Sequence, residues 1–183
     1  MEDAPLILTL GFDAASFTHL DAMRRRHFPA ERNFIPAHLT LFHHLPGERE
    51  QDIAATLRSV ARDVAPIPLA VTGLRFLGRG TACEIHAPRL AELRRDLAAR
   101  WRDHLTPQDA QGFRAHVTIQ NKVPAAEARA TFETLRAEFS PFAATGTGLL
   151  LWRYRGGPWE EAGTFPFGGD APLQSAPRAP SVD

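Results

Sequence analysis

Two stretches of nine residues decide the fold: AHLTLFHHL at 37–45 and AHVTIQNKV at 115–123. Each contains Ala-His-x-Thr-x, with His38 and Thr40 in the first and His116 and Thr118 in the second, 78 positions apart. Both read as strands, and side chains on a strand alternate between two faces. His38 and Thr40 therefore share one face and Leu39 and Leu41 the other, and His116/Thr118 divide from Val117/Ile119 in the same way. The apolar pair is expected to pack on a core and the polar pair to face a cleft. Residues two apart on a strand are separated by about 6.5–7 Å, so each His and Thr can lean onto one small ligand.

Outward from these strands the pattern repeats. LILTLG (6–11) is an apolar, β-prone run, and Asp13 sits at the N-cap of an arginine-rich helix that ends near His27. After the first motif, Ile53, Leu57, Val60 and Val64 recur with helical spacing until Pro66 and Pro68, and PLAVTGLRFLG forms a third strand. The order then restarts. TACEIHA (81–87) is a strand, and Pro88 opens a helix whose apolar face is Leu90, Leu93, Leu97 and Trp101. A polar loop, TPQDAQG, leads to the second motif. Beyond it lie a helix from Pro124 with Ala128, Phe132, Leu135 and Phe139 on one side, and the strands FAATGTGLLLWRY and WEEAGTFPF around a Gly156-Gly157 turn. Strand–helix–strand–helix–strand, twice, predicts an α+β fold of two lobes about a pseudo-twofold axis, with antiparallel sheets lining a central cleft and helices outside. Residues 1–167 are expected to form one domain with a repeat of about 78 residues, and 168–183, rich in Gly, Pro, Ala and Ser, a flexible tail.

Composition narrows the function. The 183 residues carry 21 Lys+Arg and 21 Asp+Glu, so no overall field favours tracking along duplex nucleic acid. Cys83 is the single cysteine, which excludes an internal disulfide and a multi-cysteine zinc site; it reads as a small buried strand residue. The N-terminus lacks the basic flank and long apolar stretch of a signal peptide, and no apolar run reaches the roughly 18 residues that span a bilayer. A cytoplasmic monomer with no membrane contact and no obligate protein partner is the expectation.

Cleaving a phosphodiester requires removing a proton from the attacking oxygen and delivering one to the departing oxygen. Imidazole titrates near neutrality, so one neutral and one protonated His can supply both transfers without a metal. Threonine hydroxyls can donate to the non-bridging oxygens. The duplicated His-x-Thr-x pattern resembles the two-histidine (2H) phosphoesterase superfamily, which includes the so-called 2′–5′ RNA ligases and the RNA 2′,3′-cyclic phosphodiesterases. The resemblance spans roughly residues 5–167. It implies the bilobal fold, His38 and His116 as catalytic residues, Thr40 and Thr118 as phosphate ligands, no cofactor or metal, and RNA ends or small nucleotides as substrates. The expected reaction is hydrolysis of a 2′,3′-cyclic phosphate or a 2′–5′ bond, which run in reverse would join RNA ends. Beyond each motif the sequence departs from the commoner pattern. Phe42-His43-His44-Leu45-Pro46-Gly47 stands where a large hydrophobic residue and Leu-Gly are frequent, and Gln120-Asn121-Lys122 where an arginine often follows the second motif.

If alternation continues, Phe42 and His44 extend the cleft face of the first strand and Gln120 and Lys122 that of the second, as candidate substrate contacts. His43 then points away from His38, which argues against a shared zinc ion. Phe34, Phe42, Phe76, Trp152 and Tyr154 are candidates for stacking on a base. A near-symmetric pair does not identify acid and base; the working assignment is His116 as base and His38 as acid. Two rival readings are a non-catalytic RNA- or nucleotide-binding module on the same fold and a metal-dependent hydrolase.

Overall fold

The apolar run behind Pro5 forms β1 (Leu6–Phe12), buried along nearly its whole length, and Asp13 caps the helix that follows, α1 (Ala14–His27). Its carboxylate accepts the Ala15 and Ser16 amides at 3.0 Å each, a cap worth about 1 kcal/mol. The chain continues through β2 (Leu39–Leu45), α2 (Glu50–Arg62), β3 (Ile67–Phe76), β4 (Thr81–His86), α3 (Pro88–Trp101), a single-turn α4 (Pro107–Ala110), β5 (His116–Gln120), α5 (Ala125–Glu138), β6 (Phe142–Arg153) and β7 (Glu160–Pro166). This computed structural model describes residues 4–168; apart from Gly168, the expected tail lies outside the described residues. Among them, no helix is long and apolar enough to cross a membrane.

All strand pairs are antiparallel, in the order β2-β1-β6-β3-β4-β5, with β7 on β6. The long strand β6 joins the two lobes. Its first part, Phe142–Gly146, pairs with β3, while Gly146–Arg153 pairs with β1 and, on its other side, with β7. The lobes are thus β7-β6-β1-β2 and β6-β3-β4-β5. Gly146 sits at the junction, opposite both Phe12 and Ile67, where a Cβ would lie 2.9 Å from the Leu10 side chain. β1-α1-β2 and β4-α3-β5 follow one order of elements. The third strand of each repeat crosses over, β3 pairing with β4 and β6 with β1, so neither lobe is built from one half of the sequence alone.

Leu6, Leu8, Leu39, Leu57, Leu90, Leu97, Val117 and Ile119 form one continuous core with Leu149 and Leu151. Burying each Leu favours folding by about 1.5–3 kcal/mol. β2 and β5 end the strand order, and an uncovered edge strand would leave backbone groups unpaired. Each edge is covered by a helix of the opposite repeat. Arg24 of α1 donates to the Thr118 carbonyl of β5 at 2.7 Å, and Arg94 of α3 donates to the Leu41 carbonyl of β2 at 3.1 Å. Both arginines are buried, and these crossed bonds fix the two motif strands relative to each other.

Candidate active site

Immediately after each threonine the strand bulges. In β2, Thr40 pairs with Thr9 and Phe42 with Leu8, so Leu41 is the extra residue; in β5, Thr118 pairs with Ala82 and Gln120 with Thr81, so Ile119 is. A bulge inserts one residue and resets the alternation beyond it. The motifs keep the expected division: Leu39, Leu41, Val117 and Ile119 are fully buried, while His38, Thr40, His116 and Thr118 are only partly buried. Past the bulge the expected faces fail. Phe42 is fully buried, edge-on to Trp101 at 5.3 Å and beneath the Arg94 guanidinium. Gln120 is also buried, its amide donating to the Thr131 hydroxyl of α5 at 3.0 Å. Neither side chain is available to a substrate, because alternation could not be carried through a bulge that leaves no mark in the sequence. His44 is exposed. Lys122 is exposed beyond the end of β5 with φ 62°, a left-handed turn residue and not a strand position.

The two histidines are held alike. His38 Nδ1 lies 2.8 Å from the Pro36 carbonyl and His116 Nδ1 lies 2.8 Å from the Arg114 carbonyl, in each case two residues upstream. A carbonyl only accepts, so Nδ1 carries the proton in both rings and Nε2 is left with its lone pair. Among the described residues, neither the Thr40 nor the Thr118 hydroxyl has a protein partner. β2 and β5 approach each other although they end the strand order, and a protonated His116 is felt at His38. The strands that carry the two imidazoles and the two hydroxyls thus lie close together.

Their surroundings differ. Trp159 packs edge-on against His38 with ring centroids 4.9 Å apart, and Trp152, 6.1 Å from Trp159, donates its indole N–H to the Thr9 hydroxyl beside Thr40. Burial pushes His38 down to about 4; the Pro36 carbonyl opposes this, and the charges of Arg24 and His116 add to it. Burial also lowers His116, with the Arg114 carbonyl opposing and the Arg75 charge adding. Glu84 lies directly opposite His116 across β4 and β5, and its carboxylate favours the protonated ring. Arg75 has a buried Nε with no partner among the described residues, and a groove lined by Arg75, Glu84, Phe113, Arg114 and Ala115 opens beside His116.

Several residues of this site escape the sequence reading. Trp159 stands between the Gly-Gly turn and β7, far from either motif. Asp21 is buried on α1 and accepts the Ala37 amide at 2.9 Å, fixing the residue before His38, while Arg24 one turn on also binds Asn33 and the Ile35 carbonyl. The signal for the arginines is present: Arg24 continues a Ser16–Leu20 stripe, and Arg94 interrupts the Leu90, Leu93, Leu97 stripe. A charge inside an apolar face calls for a buried partner. Asp109 belongs to the stretch expected to be a loop; it forms α4 behind a Thr106 cap. Of the stacking candidates, Trp152 lies at the site. Phe34 and Tyr154 are exposed, and Phe76 is packed against Phe132 and Arg129. Among the described residues, no three His, Cys, Asp or Glu side chains gather as a group able to hold a metal.

The model of the 2'-5' RNA ligase superfamily matches residues 12–158. Similar solved structures include TT0787 of Thermus thermophilus, 18% identical, covering 91% of this chain and 100% of that one with a TM-score of 0.65. Two structures of LigT from E. coli, one complexed with 3'-AMP and one with NADP+, are 17% and 18% identical. Each covers 91% of this chain and 99% of LigT, with TM-scores of 0.57 and 0.56. Among curated proteins, none matches.

Proposed function

Given that the chain belongs to the 2'-5' RNA ligase superfamily of 2H phosphoesterases, we propose that it hydrolyses 2′,3′-cyclic phosphate or 2′–5′ phosphodiester bonds at RNA ends or in small nucleotides, without a metal. The observation that carries this reading is the matched pair of Nδ1-anchored imidazoles, each two residues from a hydroxyl that no protein group occupies. Binding alone would not require two groups poised for proton transfer. The nucleotides held by LigT, 3'-AMP and NADP+, support a nucleotide as substrate, and Trp152 and Trp159 offer it an aromatic wall.

The environments favour the opposite of the working assignment, with His38 as base and His116 as acid. His38, kept neutral by burial, takes a proton from water on its free Nε2 as the water oxygen bonds to phosphorus. His116, with Glu84 alongside, delivers its Nε2 proton to the departing ribose oxygen. The product is a phosphomonoester; with a 5′-hydroxyl in place of water as the attacking group, the same two proton transfers open a cyclic phosphate into a phosphodiester and so join two ends. Thr40 and Thr118 donate to the non-bridging oxygens as charge builds on them. The phosphate raises the pKa of both rings when it binds between them.

The test is a screen of 2′,3′-cyclic nucleotides, 2′–5′ linked dinucleotides and cyclic ADP-ribose phosphates, with excess chelator present, followed by phosphorus NMR. A phosphomonoester product is expected. Activity lost to chelator and restored by zinc or manganese would identify a metal-dependent hydrolase, and binding without turnover would identify a non-catalytic module.

A further inference from the structure

We propose that His43, held by Asp109, is a third imidazole of this cleft and binds a non-bridging oxygen of the substrate phosphate. The proposal rests on the phosphate-handling reading of the site and adds a ligand to it.

Uninterrupted alternation would turn His43 away from His38. The bulge at Leu41 cancels that. Leu41 and Phe42 are both buried, so the open face that carries His38 and Thr40 resumes at His43 and, through a second register shift opposite Ile7, includes His44; the His43 side chain is 46% exposed. The ring is not loose. Asp109 is buried, its carboxylate accepts the His43 amide at 2.8 and 3.0 Å and the His44 amide at 2.8 Å, and one of its oxygens lies 3.2 Å from His43 Nδ1. Burial opposes ionisation of Asp109, yet the hydrogen bonds from His43 and His44 hold its pKa below the usual carboxylate value. The ionised carboxylate fixes the proton on Nδ1, which orients Nε2 away from Asp109 as the free atom. Arg94 completes the support by donating to the Asp109 carbonyl.

Position supplies the second argument. His43 follows Thr40 by three residues on β2, and its charge bears on both His38 and His116. Closing the backbone at the end of β2 needs only the two amides on Asp109; a half-exposed imidazole adds little packing. Protonated on Nε2 as well, the ring anchored by Asp109 presents an outward N–H suited to hold an anion, because a charge-assisted N–H to phosphate oxygen bond is stronger than a neutral one.

Inorganic phosphate is the probe, titrated by calorimetry and by nitrogen-15 spectra of the histidine rings. In the wild type, the His43 Nε2 resonance should move with phosphate. His43→Ala should weaken phosphate binding about tenfold, and His43→Gln, which keeps a neutral donor, should recover part of the loss. With a cyclic nucleotide, His43→Ala should raise KM more than it lowers kcat. Thermal unfolding should stay at the wild-type value, and the Nδ1–H groups of His38 and His116 should keep their hydrogen bonds to the Pro36 and Arg114 carbonyls. Unchanged phosphate affinity in His43→Ala, or a loss accompanied by rupture of the His38 and His116 Nδ1–H bonds, would overturn the proposal; if the Ala variant does not fold, the Gln variant decides by the same criteria. Should the wild type hydrolyse no cyclic phosphate, the phosphodiesterase reading fails while the titration still reports on His43.

Discussion

The β2 and β5 halves of the site share a backbone and differ in what surrounds it. Each presents His-x-Thr, bulges at the next residue, bonds the imidazole Nδ1 to a carbonyl two residues upstream, and has its outer edge closed by an arginine from the opposite repeat. Around His38, however, stand Trp159, Trp152 and the buried Arg24, whereas His116 is bordered by Arg75, Arg114 and Glu84. The repeated motif supplies two imidazoles in one backbone setting, and their neighbours make them unequal. General acid–base chemistry needs that inequality, since two rings with the same affinity for protons would seldom hold one proton between them in a fixed sense.

The largest effect should come from removing either ring. His38→Ala and His116→Ala should each lower kcat by about 10²–10⁴-fold, and the double variant should be little worse, because acid and base act in one step. Residual activity distinguishes the halves. His38→Ala should lose the acidic limb of the pH–rate profile, where a base becomes protonated, and His116→Ala the alkaline limb, where an acid loses its proton. Loss of the same limb in both variants would break the assignment.

Stability should show the same inequality without any substrate. His38 binds a proton in the unfolded chain near pH 6.5 but in the folded protein only near 4, so between these values the unfolded state holds more protons. Stability then falls as pH drops through that window, by on the order of 3 kcal/mol in total for this group. His116 is shifted in the same direction. Urea denaturation at pH 7.5 and pH 5 should show a smaller difference in His38→Gln than in the wild type; an equal difference would mean that His38 is not kept neutral by the fold.

How much of this was legible follows from what each residue depends on. The succession of strands and helices along the chain, the α1 cap at Asp13 and the two His-x-Thr faces depend on local periodicity, and the sequence displays them. Phe42 and Gln120 were misplaced because a bulge is a property of strand pairing: Leu41 and Ile119 look like ordinary strand residues until Thr9–Leu8 and Thr81–Ala82 lie opposite. The exchange of β3 and β6 between lobes is likewise invisible to a repeat that only counts elements. Trp159 and Asp109 reach the site across 121 and 66 positions from His38 and His43, and no local pattern announces contacts that distant. Arg24 and Arg94 fall between these cases, since each stands inside an otherwise helical core stripe.

The smallest effect sharpens the comparison most, because it alters one neighbour and neither ring. Glu84 faces His116 across the β4–β5 pair, with Arg114 3.8 Å from its carboxylate and its side chain 39% exposed. Solvent and Arg114 both weaken its hold on the imidazole, so its influence is modest. Its sign is definite: a carboxylate favours the protonated ring, and Glu84→Gln removes that support while keeping the shape. The pKa of His116 should fall, and the alkaline limb of the pH–rate profile should move to lower pH by less than about one unit. The acidic limb, carried by His38 on the other lobe, should not move. An Arg75→Gln change should act in the opposite direction on the same limb, since the Arg75 charge disfavours the protonated ring. If Glu84→Gln shifts the acidic limb and leaves the alkaline one in place, then His116 is the base and the roles of the two halves are exchanged.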